Sequence, residues 1–172
     1  EGVHLTEDGR AQAEKAAEKL SNVRFTAIYS SPIDRCFETA EIVAARHPKL
    51  ALQKSKAIGE VQYGRWTNRS LRSLAKTKLW TTVQHWPSAM RFPDGESLRE
   101  VQMRAVDEIE RLKAKHPKGR VCVVSHADVI KLVLAHYLGV HLDLFQRIVV
   151  GPASISVVGL GPSGPAILAL NT

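Results

Sequence analysis

The run Val121-Cys122-Val123-Val124 is apolar at every position, and three of its four residues are β-branched. That is the composition of a strand buried on both faces of a parallel sheet. It stops at Ser125-His126, after which Val129, Ile130, Val133, Leu134 and Tyr137 recur at helical spacing as far as Gly139, where a left-handed cap is expected. His126 therefore falls at a strand-to-helix turn. Open α/β sheets bind ligands at the carboxyl ends of their strands, and the helix amides beyond favour an anion. Ser125 and His126 at such a turn also have a simpler use, satisfying backbone groups.

The same alternation of strand and helix patterns runs through the rest of the chain. Thr6, followed by Glu7 and Asp8, predicts the start of a helix over 6–20 with Ala13, Ala16, Ala17 and Leu20 on its apolar face. Residues 25–29 predict a short strand, with Ser31 as N-cap and Pro32 as first residue of a helix that buries Ile33, Phe37, Ala40 and Ala44 and stops before Pro48. Residues 50–58 predict a strand delivering Glu60. Ser97 and Glu100 predict a capping box for a long helix with Leu98, Val101, Ala105, Ile109 and Leu112 as its stripe. Residues 147–150, 154–158 and 166–170, separated by glycines and prolines, predict strands that complete one edge of the sheet.

Length and composition add limits. With 172 residues, 44% of them hydrophobic, the chain fits a single globular domain over 1–172. A net charge of +7 favours anionic partners without choosing among them. Part of that charge is concentrated: between Val61 and Pro93 there is no carboxylate, while Arg65, Arg69, Arg72, Lys76, Lys78 and Arg91 lie there with Trp66, Trp80 and Trp86. This basic excursion, at about 65–92, reads as a cationic lid over a small anion, a stacking platform for single-stranded nucleic acid, or a helical segment packed on the body. Nucleic acid is the weaker expectation, and exposed tryptophans there would suit a homodimer contact. Cys36 and Cys122 sit in apolar contexts and read as small buried hydrophobes. No run approaches the length needed to span a bilayer, so a cytoplasmic protein without a membrane association is expected.

Three residues from different segments converge on one rim in this reading. Arg35 stands in the first turn after the serine pair, where a guanidinium adds a bidentate donor to helix amides; pairing with Glu38 or Glu41 is its competing use. Glu60 follows the second predicted strand and His126 the third. Neither a metal-ligand cluster nor a cofactor motif is apparent.

Leu5-Thr6 with Gly9, Gln12 and Ala13, then Tyr29-Ser30-Ser31-Pro32 with Arg35, Thr39 and Ala40, then Glu60 with Gly64, then Gly95-Glu96-Ser97, then Val124-Ser125-His126 occur in that order. Together they resemble the histidine phosphatase superfamily, the phosphoglycerate mutase-like proteins, along nearly the whole chain. The resemblance implies a three-layer α/β/α domain with a mostly parallel sheet of about six strands, a small phosphorylated substrate, and no cofactor or metal. It implies hydrolysis of phosphate monoesters through a phosphohistidine, with Arg35 and His126 holding phosphoryl oxygens and Glu60 as the acid that later activates water. Phosphoglycerate mutase-type transfer, and a non-catalytic binder of phosphorylated ligands or nucleic acid, are the alternatives.

The sequence departs from the family pattern twice. Ala127-Asp128 follows His126 where glycines are common, which makes Asp128 a second acid candidate. The Arg-His-Gly motif of the attacking histidine is absent, since none of the seven histidines precedes a glycine. His4, immediately before the first helix, is placed wrongly to replace it. The resemblance therefore leads us to expect the nucleophile on a strand and loop of about 20 to 30 residues upstream of residue 1.

Overall fold

The computed structural model describes residues 2–172. Helix α1 (Glu7–Leu20) begins as expected, the Thr6 hydroxyl accepting from the Gly9 amide at 3.1 Å, and buries Ala13, Ala16 and Ala17. Strand β1 (Ala27–Ser30) leads to α2 (Asp34–Ala45), and β2 (Leu52–Lys54) to a 3₁₀ turn at Lys56–Ile58. Two short helices, α3 (Leu71–Leu74) and α4 (Lys78–His85), occupy the basic excursion. Then come α5 (Leu98–Lys115), β3 (Val121–Val124), α6 (Ala127–Leu138), and a hairpin of β4 (Val157–Gly161) and β5 (Gly164–Ala169). The Ser97–Glu100 capping box is present, and α6 ends at Gly139 in the left-handed conformation.

Strands β2, β1 and β3 pair in parallel in that order, with Ser30 level with both Lys54 and Val124. Helix α2 packs on β1 and α1 on α2. On the sheet's other side Leu112 of α5 joins Ala27 and Tyr29 in a small apolar cluster. A larger cluster joins Val101 and Ala105 of α5 and Leu132 and Leu134 of α6 to Trp66, Leu74, Val83, Met90 and Phe92. The excursion is thus anchored in the core along its length.

Several expectations need correction. In place of one sheet of about six strands, the described residues form a three-stranded parallel sheet and a separate antiparallel pair. The central, wholly buried strand is β1, whereas β3 is half-buried because it pairs with β1 alone among the described residues. Residues 147–150 are not a strand: Leu142–Arg147 form a 3₁₀ turn that sets Phe145 and Ile148 into the core. The strand placed at 154–158 starts at Val157 instead, because Ala153 has a φ of 53° and the Ser154 hydroxyl donates to the Gly151 carbonyl, making a turn. Helix α2 begins at Asp34 rather than Pro32 and buries Cys36, Ala40 and Val43, about one residue off the expected stripe. Of residues 50–58 only Leu52–Lys54 form a strand.

The base of the excursion is closed tightly. The Arg65 amide donates to the Pro93 carbonyl and the Glu96 amide to the Gln62 carbonyl, both at 2.9 Å. Gly64 has a φ of 52°, which a side chain adopts only with strain. A Cβ on Gly95 would stand 2.2 Å from the Gln62 carbonyl oxygen and 2.9 Å from the Gly64 nitrogen. Both are backbone atoms, so relief requires separating the two segments. Gly95→Ala should therefore cost about 2–3 kcal/mol in urea unfolding, as overpacking does. Gly161→Ala, with nothing within 4 Å of the added carbon, should stay within about 0.5 kcal/mol of the parent.

Candidate active site

The level ends of β1, β2 and β3 bring Arg35, Glu60 and His126 into contact. Arg35 Nη2 donates to Glu60 Oε2 at 3.0 Å and to His126 Nδ1 at 3.2 Å. Accepting from a guanidinium requires a lone pair on Nδ1, so the proton of the neutral ring is on Nε2, which donates to the Ser31 hydroxyl at 2.8 Å. Glu60 Oε1 accepts from the Val61 amide at 3.0 Å. His126 is 5% exposed, whereas the Arg35 side chain is 36% exposed. The three expected residues therefore meet, with the histidine below and the arginine facing outward.

Burial sets the protonation of this group. It raises the pKa of Glu60, against the Val61 amide and Arg35, with Asp128 adding to the rise. It lowers that of His126 to about 4, aided by the positive charges of Arg35 and Arg104. Glu60 and His126 approach to 3.4 Å, but a neutral imidazole makes this a contact between polar groups and not an ion pair. Among the described residues only Nη2 of Arg35 has a hydrogen-bond partner. Its Nε and Nη1 remain as donors for the oxygens of an anion.

The other candidates are engaged elsewhere. Glu38, one competing partner for Arg35, instead contacts His4 Nδ1, accepts from the Leu5 amide at 3.1 Å and lies 3.5 Å from Arg10. Asp128 accepts from the Tyr63 hydroxyl at 3.1 Å and from Lys131 at 3.3 Å. It neighbours the site without touching Arg35 or His126. Burial pushes the thiols of Cys36 and Cys122 up to about 11 and about 12, as expected of inert packing residues. No group of His, Cys, Asp and Glu among the described residues is arranged to hold a metal ion.

Sequence reasoning missed three contributors. Ser31 is no helix cap: its hydroxyl accepts from the Ile33 amide at 3.3 Å and from His126. Ser125 donates to the Ile58 carbonyl at 2.7 Å, tying the end of β3 to the turn before Glu60. Arg104 projects from α5 to the same turn, donating to the carbonyls of Ala57, Gly59 and Glu60. A charged residue beside Val101 and Ala105 on the buried stripe of α5 was the available signal, since such groups are buried only when paired.

A three-layer α/β scaffold that presents an outward arginine over a buried histidine and carboxyl group defines a phosphoryl-handling enzyme. The chain belongs to the histidine phosphatase superfamily (branch 1), whose profile matches residues 1–172. It is 32% identical over 171 residues to phosphoserine phosphatase 1 of Hydrogenobacter thermophilus, covering 97% of this chain and 80% of that protein. It is 31% identical over 133 residues to phosphoglycerate mutase-like protein 4 of Arabidopsis thaliana, covering 75% of this chain and 58% of that one. In fold it is similar to the phosphoserine phosphatase of Entamoeba histolytica, with a TM-score of 0.88 at 19% identity, over 99% of this chain and 85% of that one.

The buried imidazole should be visible in the pH dependence of folding. Between pH 6.5 and about 4 the unfolded chain protonates His126 while the folded chain does not, so stability falls as pH drops through that window and levels off below it. Glu60, with its raised pKa, contributes with the opposite sign above 4.5. The comparison to make is therefore with His126→Gln. By urea unfolding the parent should lose about 2 kcal/mol more than the variant across the window. Equal slopes would mean that the ring is not held neutral.

Proposed function

We propose that the protein hydrolyses phosphate monoesters through a phosphohistidine, with Arg35 and His126 holding the phosphoryl group, the His126 Nε2–H exchanging the Ser31 hydroxyl for a phosphoryl oxygen, and Glu60 exchanging the proton. The observation that carries this reading is the partly exposed Arg35 guanidinium, bound through Nη2 to both Glu60 and His126, with Nε and Nη1 lacking an acceptor among the described residues. In the first step the attacking histidine of the Arg-His-Gly motif that the family resemblance implies forms an N–P bond as the ester P–O bond breaks. The neutral Glu60 carboxyl gives its proton to the leaving oxygen. In the second step the Glu60 carboxylate takes a proton from water, whose oxygen attacks phosphorus and releases phosphate from the histidine. A guanidinium on the equatorial oxygens stabilises the charge throughout, and burial suits Glu60 to carry a proton and then to remove one.

The basic excursion supplies binding in this proposal. Trp66 is buried and stacks on Trp80 at 6.2 Å, which leaves no row of exposed rings for nucleotide bases. Arg69, Arg72, Lys76 and Lys78 are exposed and suit a substrate with more than one negative group. Trp86, 62% exposed, and Leu71, 70% exposed, offer surface for a homodimer contact. The 31% identity to a phosphoglycerate mutase-like protein keeps transfer to a second hydroxyl as the other reading; a panel of phosphate esters assayed for free phosphate separates release from transfer.

In the enzyme with its nucleophile, Arg35→Ala and His126→Ala should each lower kcat by about 10²–10³-fold. Glu60→Gln should slow alkyl phosphates by about 10²-fold or more but aryl phosphates with good leaving groups by less than about 10-fold, because a good leaving group needs little protonation. Full activity after His126→Ala would sink the assignment of the site. Neutralising Arg69, Arg72, Lys76 and Lys78 together should raise KM for multiply charged substrates by about 10-fold and leave kcat nearly unchanged. A loss confined to kcat would contradict a binding role for the excursion.

A further inference from the structure

We infer that Arg104 is the positioning residue for Glu60, acting through the main chain that carries it. The inference rests on the acid role proposed for Glu60. An arginine has five N–H donors in a rigid fork, and Arg104 uses all five. Nε donates to Glu96 Oε1 at 2.8 Å and Nη2 to Glu96 Oε2 at 2.9 Å. Nη1 donates to the carbonyls of Ala57 at 2.7 Å and Gly59 at 3.0 Å, and the second proton of Nη2 goes to the carbonyl of Glu60 at 3.1 Å. Glu96 Oε2 also accepts from the Gln62 amide at 2.9 Å. One ion pair thus holds the main chain at residues 57, 59, 60 and 62.

Packing of Ile58 and Val61 in the core anchors the segment on either side of Glu60, but few other hydrogen bonds fix its main chain. Its 3₁₀ turn, Lys56–Ile58, is three residues long. A single 3.0 Å bond from the Gly59 amide to the Lys56 carbonyl closes that turn. The further ties to its carbonyls are the Ser125 hydroxyl at Ile58 and the Glu96 amide at Gln62. Arg104 stands on α5, an 18-residue helix whose buried face is set in the main core, so its fork starts from a rigid base. Its side chain is 23% exposed, and all its donors are consumed by protein acceptors. It therefore has none left for substrate, and its effect on the reaction passes through the placement of the Glu60 carboxyl. Misplacement by a fraction of an ångström costs an acid catalyst much of its rate.

Charge and geometry are separable here. Arg104→Lys keeps the positive charge near His126 but cannot reach Glu96 and three carbonyls from one ammonium. In the enzyme with its nucleophile, Arg104→Lys should lower kcat on an alkyl phosphate by about 30-fold and on p-nitrophenyl phosphate by less than about 5-fold, copying the selectivity of Glu60→Gln. Added to Glu60→Gln it should slow the alkyl substrate by no more than about 2-fold further, since the two changes remove one function. The affinity for inorganic phosphate should be unchanged in Arg104→Lys. A residue that merely supports the fold would lower the melting temperature and slow both substrates alike. If Arg104→Lys does not fold, Glu96→Gln, which keeps the arginine, carries the test with a smaller loss of the same selectivity.

The outcomes distinguish this inference from the reading beneath it. Selective slowing by Glu60→Gln beside unselective or multiplying losses in the Arg104 and Glu96 variants overturns the positioning role alone. Equal losses on both substrates in Glu60→Gln remove the acid itself, and with it any residue said to position it.

Discussion

Arg35 stands in the first turn of α2 after β1, Glu60 beyond the 3₁₀ turn after β2 and His126 just past β3, so their meeting depends first on where those strands end. The parallel ladders set Ser30 level with Lys54 on one side and Val124 on the other. A slip of one residue moves a strand by about 3.3 Å and turns its side chains to the opposite face. Contacts of 3.0 to 3.4 Å among the three side chains would not survive it. Register is enforced by burial: Ala27, Ile28, Tyr29 and Ser30 of the central strand are all 3% exposed or less, and a slipped β1 would exchange the faces presented by Tyr29 and the Ser30 hydroxyl. The geometry of the site is in this sense a by-product of packing at the centre of the sheet.

Once gathered, the three groups divide charge unequally. Removal from water drives Glu60 towards its neutral acid and His126 towards its neutral base, since each loses more hydration when ionised. The guanidinium between them cannot respond in the same way, because arginine stays charged at any ordinary pH. Two groups biased towards neutrality beside a permanent cation suit a dianion. Burial likewise holds the two thiols in their unreactive protonated form.

Much of this was legible from residue patterns. Thr6, Ser97 with Glu100, and Gly139 marked helix ends correctly because capping is local chemistry, decided within four residues. The site triad was legible because strand ends and helix starts mark the binding rim of an α/β sheet. Failures came where tertiary context decided. Residues 147–150 have a strand's composition, yet Phe145 and Ile148 are needed in the core and the chain turns to put them there. Strand β3 reads as a central strand but is flanked by β1 alone among the described residues. Ser31 looked like a cap because Ser-Pro usually is one; its bond to His126 spans 95 positions and leaves no local trace. Arg104 is similar, reaching 44 to 47 residues back to the segment it holds.

The closed base of the excursion bears on how such an enzyme can diversify. Residues 62–65 and 93–96 are bound to each other directly, so the chain between leaves the body and returns at one place. Closing a longer loop between fixed ends costs entropy only as the logarithm of its length. Insertions, deletions or wholesale replacement between these points would leave the acid-bearing segment where it is, provided an apolar plug equivalent to Trp66, Leu74, Val83 and Met90 still seals the core. On the roles proposed above, selectivity and chemistry then sit on separately inheritable pieces of one chain, and a lineage, or an engineer grafting loops, can exchange the first without rebuilding the second.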